Sequence, residues 1–269
     1  VGPTTVVFEN PEFMKELKKM ADNRGGLCHT HLHPRPDEIK KCGELYNCRP
    51  HQWLEEIGWI DKNVSFAHIS RHNAEELDIV ARNGASVTQS PSCHMRLGYP
   101  IAPALEARDR GIPVSIGVDG GASNDSGDML GELRTMLYVH RIDGGHPGYG
   151  PERWINAKEV FEMATVNGAK CLNRDDIGML KEGMAADLVL FSMIQPGYAG
   201  ALTDPRGALL YCGNNHLADT TIVNGNVLIE NGIFLAGDLN QIVEDANRST
   251  ARILKLVKDK TGIDYRMEA

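Results

Sequence analysis

The run Val64-Ser65-Phe66-Ala67-His68-Ile69 predicts a short buried strand, because nearly continuous apolar residues of this length are typical of strands covered on both faces. A helix with apolar residues at helical spacing follows over about 73–82 and ends near Gly84. The next run, Ala85-Ser86-Val87-Thr88-Gln89, again predicts a strand. A strand, a helix and a second strand joined by short turns indicate a parallel sheet.

The same alternation extends to both sides of this stretch. Leu27–Leu32 and Val114–Asp119 predict two further strands. Helical spacing predicts helices over about 11–20, 37–46, 50–57, 102–110, 128–141, 157–165 and 167–172. Four parallel strands are therefore expected between residues 27 and 119, whereas a complete (β/α)8 barrel needs eight.

The pattern changes after residue 178. Ala186–Phe191, Thr220–Val223 and Val227–Glu230 predict strands, and Asn224-Gly225 between the last two is a strong hairpin signal. Residues 178–236 are therefore predicted to form an antiparallel β module. Apolar residues at helical spacing predict a helix from about 239 to 258.

Composition excludes several classes of protein. Of 269 residues, 42 % are hydrophobic and 24 % are charged, as in ordinary globular proteins. A net charge of -8 argues against a nucleic-acid partner, which needs a basic surface, and no apolar run approaches the ~18 residues of a membrane span. Because the six cysteines contain no C-x-x-C pair and no apolar leader is visible, we expect reduced thiols in a cytoplasmic protein.

Three ionisable residues stand at the carboxyl ends of predicted strands: His31, His68 and Asp119. In a parallel β/α arrangement these ends form the functional face. Two imidazoles and a carboxylate suit a divalent metal, most simply Zn²⁺ with Fe²⁺ as the alternative, and such an ion lowers the pKa of a bound water to about 7. Taken singly, a buried histidine is more often a core residue, and an aspartate beside glycines is as often a turn residue.

Other features also have two interpretations. His29, His31 and His33 alternate, which places them on one face of a strand, although a polar surface strand is the alternative. Cys93-His94 suggests a thiol nucleophile, but adjacent residues on an extended segment point apart, so we do not expect one. The loop 144–150 is expected to be solvated rather than a lid.

Four motifs occur in an order that resembles the amidohydrolase superfamily. They are His-Thr-His-Leu at 29–32, Phe-Ala-His-Ile at 66–69, Ser-Pro-Ser-x-x-Met-Arg-Leu at 90–97 and Gly-Val-Asp-Gly-x-Ala-Ser-Asn-Asp at 117–125. Within the superfamily the chain resembles the deaminases and dechlorinases of aminated heterocycles, most closely the 8-oxoguanine deaminases. The likeness continues through Asp176-Ile177-Gly178, Gly183–Leu190 and Val223-Asn224-Gly225.

The resemblance implies an α/β fold with a (β/α)8 barrel and a small β-sandwich. By this likeness the four strands are the fifth to eighth of a TIM-like barrel, and the chain is the C-terminal ~60 % of such an enzyme. The implied domains are part of the barrel at 1–177, part of the sandwich at 178–236, and a helix at 237–269 that packs back on the barrel. Because the family's first-strand His-x-His pair is not found, we expect little or no activity from this chain alone.

The resemblance also implies roles for the three strand-end residues. His31 matches a metal ligand of the family. His68 matches the histidine that contacts the hydrolytic water or the substrate. Asp119 matches the aspartate that binds the metal and accepts the proton of that water.

Two positions depart from the family pattern. Pro34 stands where the family has a proton-shuttling glutamate, and a proline cannot transfer protons, so His33 or Glu38 is the candidate substitute. His94 stands where relatives carry asparagine. Together with His33 and Arg96, it is predicted to bind the substrate.

These inferences predict a metal-dependent hydrolytic deaminase of an aminated heterocycle, of 8-oxoguanine, guanine, pteridine or hydroxytriazine type, acting through metal-activated hydroxide. A hydrolytic dechlorinase or another C–N hydrolase of the superfamily is one alternative, and a catalytically inactive binding homologue is the other. The expected partners are a small heterocyclic substrate and further copies of the chain, because open strand edges and apolar helix faces favour association. An N-terminal portion that covers the open edge is the alternative to oligomerisation.

Overall fold

The structure is a computed structural model that describes residues 1–7, 9–32, 35–142, 150–213 and 217–265. Its strands are β1 (Cys28–Leu32), β2 (Val64–His68), β3 (Ser86–Gln89), β4 (Val114–Ile116), β5 (Leu188–Leu190), β6 (Thr220–Val223), β7 (Asn226–Glu230) and β8 (Ile233–Phe234). Its helices are α1 (Pro11–Asp22), α2 (Pro36–Tyr46), α3 (Pro50–Glu56), α4 (Ala74–Arg82), α5 (Pro91–Leu97), α6 (Ala104–Asp109), α7 (Met129–Val139), α8 (Ala157–Ala164), α9 (Val166–Cys171), α10 (Pro205–Tyr211) and α11 (Leu239–Thr261).

The chain divides into two compact units. The first comprises the described residues of Val1–Met184 and Met193–His216. The second comprises the described residues of Ala185–Ser192 and Leu217–Ala269. Residues 193–213 thus group with the first unit, although they lie inside the predicted β module. The predicted domain bounds stay predictions.

The first unit contains a parallel sheet in the order β1-β2-β3-β4, which confirms the predicted alternation of strands and helices. Every residue of β2 is buried, as expected of a strand covered on both faces. β4 is shorter than predicted and ends at Ile116. Asp119 has a φ of +63°, outside the extended region, so it lies on the turn beyond the strand.

The first five residues run beside β1. The carbonyl oxygen of Val1 accepts a hydrogen bond from the backbone N–H of His29 at 2.8 Å, and Thr30 Oγ1 donates to the Pro3 carbonyl oxygen at 2.7 Å. Thr5 forms an isolated parallel bridge with His31. These bonds cover one edge of the parallel sheet at the point where His31 lies.

Local sequence explains where several helices begin. Asn73 and Glu76 form a capping box at the start of α4, and Asn156 and Glu159 form another at the start of α8. Proline occupies the first turn of α1, α2 and α3, where its missing N–H is not needed. The predicted helices of the first unit lie within two residues of their expected bounds.

The segment around Cys93 was expected to be extended, and this expectation is wrong, because residues 91–97 form α5. Pro91 occupies its first turn, and Gly98, with a φ of +70°, ends it. Seven residues are too few for an apolar periodicity to reveal a helix. Cys93 and His94 therefore project from a helix. The short helix α10 was not predicted either.

The second unit contains an antiparallel sheet in the order β5-β6-β7-β8, as predicted from its sequence pattern. The hairpin between β6 and β7 turns at Asn224 and Gly225, whose φ values are +48° and +78°. Two positive φ values are the requirement of the turn that asparagine-glycine favours. α11 begins at the N-cap Asp238 and ends at Gly262, and within the described residues no helix is both long and apolar enough to cross a membrane.

Candidate active site

A cavity of ≈ 250 Å³ lies in the first unit at the carboxyl ends of the parallel strands. His31 near the end of β1, His68 at the end of β2 and Asp119 beyond β4 all line it. Its other lining residues are Thr5, Arg35, Glu38, Cys93, Leu97, Tyr99 and Ser123. The structure therefore brings together three residues that are far apart in the sequence.

Two larger cavities, of ≈ 380 and ≈ 280 Å³, lie elsewhere in the first unit. The first lies at the amino ends of the strands, beside surface charges such as Lys62 and Lys170. The second lies along the sheet beside Ser65, Thr88 and Ser115. Because parallel sheets bind ligands at the carboxyl ends of their strands, the smaller cavity is the candidate active site.

His31 is held by the segment that runs beside β1. Its Nδ1 lies 2.9 Å from the carbonyl oxygen of Thr4. Since a carbonyl oxygen can only accept, Nδ1 carries a proton, and in the neutral form of the ring Nε2 has the lone pair. Metal-binding histidines are usually held by such a bond at their other nitrogen, so His31 is suited to bind a metal through Nε2.

The backbone is strained where β2 ends. His68 has a φ of +74°, and Ile69 has a φ of +43°. Positive φ is uncommon for residues other than glycine and is an outlier for a β-branched residue such as isoleucine. Strain of this kind clusters at functional sites, where the surrounding structure enforces it. The strain therefore agrees with a functional role for this strand end.

The ring of His68 lies between two other imidazoles. It stacks on His31, with ring centres 5.1 Å apart and planes inclined by 12°, and its Nδ1 lies 3.0 Å from Nε2 of His94. Burial first, and then His94 and His31, lower the pKa of His68 to about 4, although the charge of Asp119 acts in the opposite direction. His68 is therefore uncharged at neutral pH.

Hydrogen bonds keep Asp119 ionised. Burial raises the pKa of this carboxyl group, but bonds from the Cys93 thiol, the Ser123 hydroxyl and the Gly120 backbone outweigh burial, so that the pKa is lowered. Ser123 Oγ donates to Asp119 Oδ2 at 2.9 Å. The cavity thus contains a carboxylate that can accept a proton or bind a cation.

Cys93 is a hydrogen-bond donor in this cluster. Burial, followed by the bond to Asp119, raises the pKa of its thiol to about 11. The reactive form of cysteine is the thiolate, and this environment disfavours it. A thiol nucleophile was not expected here, and the structure agrees, although the reason is the environment of Cys93 and not an extended backbone.

Glu132 supports the site from α7, and sequence reasoning missed it. Its side chain is buried, with Oε1 accepting from the Ser92 backbone N–H at 2.9 Å and Oε2 accepting from Asn124 Nδ2 at 3.1 Å. It therefore joins the start of α5 to the loop that follows Asp119. No local signal identifies it, because Ser92 is 40 residues away in the sequence.

The residues predicted to bind substrate occupy different environments. His94 is 1 % exposed, is hydrogen-bonded to a neighbouring imidazole, and is not among the residues that line the cavity. Arg96 pairs with Asp125 at 2.8 Å and does not line the cavity either. His33 and most of the loop predicted at 144–150 lie outside the described residues. Substrate binding by these residues stays a prediction.

The side chains of the cavity fit a divalent metal in part. Imidazole and carboxylate are ligands that Zn²⁺ takes, and His31 and Asp119 offer both at one cavity. Across the part of the chain that the structure describes, no group of three or more His, Cys, Asp or Glu side chains is placed to hold an ion. Of the described residues that line the cavity, His31 and Asp119 are the two that the resemblance implies as metal ligands.

The fold and the cavity define a parallel β/α protein whose imidazole and carboxylate groups line one cavity at the carboxyl ends of the strands, where enzymes of this architecture have their active sites. The chain belongs to the amidohydrolase family, whose sequence model matches residues 2–228. The resemblance inferred from the motifs is thereby confirmed.

Several curated relatives with similar sequences are deaminases. One is the 5-methylthioadenosine/S-adenosylhomocysteine deaminase of Desulfitobacterium hafniense, which is 32 % identical over 92 % of this chain and 56 % of its own length. Another is the 8-oxoguanine deaminase of Pseudomonas aeruginosa, which is 33 % identical over 90 % of this chain and 52 % of its own length. The chain thus spans about half the length of the curated relatives it matches.

A solved structure is similar over most of the chain. It is the atrazine chlorohydrolase TrzN of Arthrobacter aurescens complexed with zinc, with a TM-score of 0.87 and 34 % identity. The match covers 92 % of this chain and 54 % of the chlorohydrolase.

Proposed function

We propose that the protein is a metal-dependent hydrolase that removes the exocyclic amine from an aminated heterocycle of purine, pteridine or triazine type. The observation that carries this proposal is the single cavity lined by His31, His68 and Asp119 at the carboxyl ends of the strands. The deaminase names of the relatives support hydrolysis of a C–N bond. 8-Oxoguanine and guanine are the first candidate substrates, because one of these relatives is an 8-oxoguanine deaminase.

His31 and Asp119 are the residues that would hold a divalent metal. The lone pair on His31 Nε2 and the ionised state of Asp119 suit this role. Zn²⁺ is the preferred ion, since the similar chlorohydrolase structure contains zinc. When bound, such an ion supplies a water of lowered pKa as the nucleophile.

The side chains of the chain would then position the water and move its proton. Uncharged His68 contacts the water or the heterocycle at the wall of the cavity. Asp119 accepts the proton of the water at a carboxylate oxygen and passes it to the exocyclic nitrogen. A C–O bond forms on the ring carbon, the C–N bond breaks, and ammonia leaves.

Glu38 is proposed as a second proton carrier. The position of the family's proton-shuttling glutamate is occupied by Pro34, which cannot transfer protons. Glu38, on α2, is 1 % exposed and lines the same cavity as Asp119. A buried carboxyl group at this place can exchange a proton with the water or with the leaving amine.

The resemblance also supports a finer proposal about the fold. We propose that β1–β4 are the fifth to eighth strands of a TIM-like barrel and that β5–β8 belong to a small β-sandwich. The parallel order of the first sheet and the antiparallel order of the second agree with this assignment. The similarity to the chlorohydrolase supports it over 92 % of the chain.

The test measures bound metal and ammonia release from 8-oxoguanine, guanine and a hydroxytriazine, using zinc-loaded protein of natural length. We expect about one Zn²⁺ per chain in the parent protein, as in catalytic zinc sites. We expect the His31→Ala variant to bind less Zn²⁺ than the parent protein. We expect Asp119→Asn to lower the rate by about 10²-fold or more, since positioned proton transfer contributes about that much.

The matched control is Asp245→Asn, on the exposed side of α11, which should leave both readouts unchanged. Full zinc occupancy without ammonia from any of these substrates would reject the substrate class. The same assay on these 269 residues alone tests the expectation of little activity from them, which detectable turnover would refute.

Hydrolytic dechlorination is the second candidate function. It is favoured by the similarity to an atrazine chlorohydrolase, which has a TM-score of 0.87. In both reactions the oxygen of water forms a bond with a ring carbon, and the two reactions differ in the leaving group. Chloride released from a chlorotriazine, without ammonia from any aminated ring, would favour this alternative.

A further inference from the structure

His94 contacts His68 and is not among the residues that line the cavity. Its Nε2 lies 3.0 Å from His68 Nδ1, and the two ring centres are 5.2 Å apart. His94 is 1 % exposed on α5, and Tyr99 meets its ring edge-on with ring centres 6.2 Å apart. A buried second imidazole is thus hydrogen-bonded to a residue of the cavity wall.

The hydrogen bond between the two rings requires one protonated and one unprotonated nitrogen. Nδ1 of His94 is buried and has no hydrogen-bond partner among the described residues. Burial lowers the pKa of this ring, while the backbone of Pro100 and the charge of Asp119 act in the opposite direction. Pro100 has no N–H, so the acting group is its carbonyl. A proton on His94 Nδ1 leaves His94 Nε2 as the acceptor and makes His68 Nδ1–H the donor.

We propose that His94 is a positioning residue that fixes the His68 ring with its proton on Nδ1 and the lone pair of Nε2 toward the cavity. The tautomer of a histidine is set by the bond at its other nitrogen, and His31 shows the same arrangement with the Thr4 carbonyl oxygen. This inference rests on the role proposed for His68 in the candidate active site.

The fixed tautomer restricts what His68 can recognise. A lone pair on Nε2 accepts a hydrogen bond and cannot donate one. The group opposite it must therefore carry an O–H or N–H, as the attacking water and the exocyclic amine of the substrate both do. A carbonyl oxygen of the substrate ring at this point would face the lone pair of His68 Nε2, and two acceptors cannot form a hydrogen bond.

The experiment reads the tautomer of His68 directly. Protein labelled with ¹⁵N-histidine is examined by long-range ¹H–¹⁵N correlation spectroscopy, which distinguishes a protonated from an unprotonated ring nitrogen. We expect a protonated Nδ1 and an unprotonated Nε2 at His68. The opposite pattern would overturn the inference.

Two substitutions separate positioning from packing. His94→Phe keeps a ring but removes the acceptor, and we expect the His68 signals to shift to a mixture of tautomers. His94→Gln places an amide oxygen near the former Nε2, and we expect it to restore the Nδ1–H form. Identical His68 signals in the two variants would contradict the proposal. If one variant does not fold, the spectrum of the parent protein still shows which nitrogen of His68 carries the proton.

Activity provides a separate readout. We expect His94→Phe to lower kcat by about 10- to 100-fold with little change in KM, as loss of an outer partner of a site residue does elsewhere. Met95 lies on the same helix and is half exposed, so Met95→Ala should leave kcat and the His68 signals unchanged. If no heterocycle is turned over, the proposed function fails, whereas the spectra still decide the role of His94.

Discussion

Single side chains at or just beyond the strand ends combine strained backbone with hydrogen bonds to residues outside the strand. His68 and Asp119 have φ values of +74° and +63°. His68 is hydrogen-bonded to His94 on α5, and Asp119 is hydrogen-bonded to Ser123 in its own loop. His94 is 26 residues from His68, whereas Ser123 is 4 residues from Asp119. The sequence predicted both residues at strand ends, and the structure places His68 at the end of β2 and Asp119 on the turn beyond β4. Their backbone angles and partners were not, because they depend on how α5 and the loop after β4 pack.

Burial of histidines predicts how stability depends on pH. His72 Nδ1 lies 2.9 Å from the Ile69 carbonyl oxygen, and this hydrogen bond raises the pKa of the ring. Burial lowers the pKa by more, so that the net effect of folding is a lowered pKa. Between the lowered folded pKa and the ordinary value of 6.5, the unfolded chain binds a proton that the folded chain does not. The free energy of unfolding therefore falls as the pH falls through this window.

The measurement is urea unfolding of the parent protein and of His72→Asn at about pH 7.5 and about pH 5.5. We expect both proteins to lose stability at the lower pH, and the parent to lose more. An equal loss in the two proteins would show that His72 does not contribute.

At the scale of elements, close packing explains one of the sequence motifs. Asp176-Ile177-Gly178 belongs to the likeness between this chain and its family, and Gly178 has a φ of +89°. A Cβ atom at Gly178 would lie 2.9 Å from the Ala169 Cβ and from the Thr165 carbonyl oxygen. The glycine therefore allows the chain after α9 to pass close to that helix.

Gly178→Ala is expected to lower the free energy of unfolding by about 1–3 kcal/mol, because it adds a close contact at a backbone conformation unfavourable for alanine. The control is Gly43→Ala on α2, where a Cβ would meet nothing within 4 Å. This change should stabilise the protein by about 0.5–1 kcal/mol, since alanine favours a helix interior. Chemical unfolding measures both, and equal effects would contradict the packing argument.

At the scale of the whole molecule, apolar side chains remain at the surface of both units. In the second unit, Val189, Leu190 and Ile233 are each more than half exposed. In the first unit, Leu172 and Leu180 are 56 % and 84 % exposed. Exposed apolar patches favour association.

We therefore expect the protein to form homo-oligomers in solution. Light scattering should give a mass that is a multiple of 29.5 kDa and that falls on dilution. Val189→Asp is the variant to compare, since a charge on an exposed apolar strand opposes association. A parent protein of 29.5 kDa at every concentration would contradict the prediction.

The sequence by itself determined the parallel sheet, the Asn224-Gly225 hairpin and the three candidate residues at the strand ends, because apolar runs, turn residues and motifs are properties of short stretches. Only the tertiary structure decided that residues 91–97 are helical, that His94 bonds to His68, and that Glu132 holds Ser92. The partners in these bonds are 26 and 40 residues apart. They meet only when the helices pack on the sheet, and no local pattern encodes such a meeting.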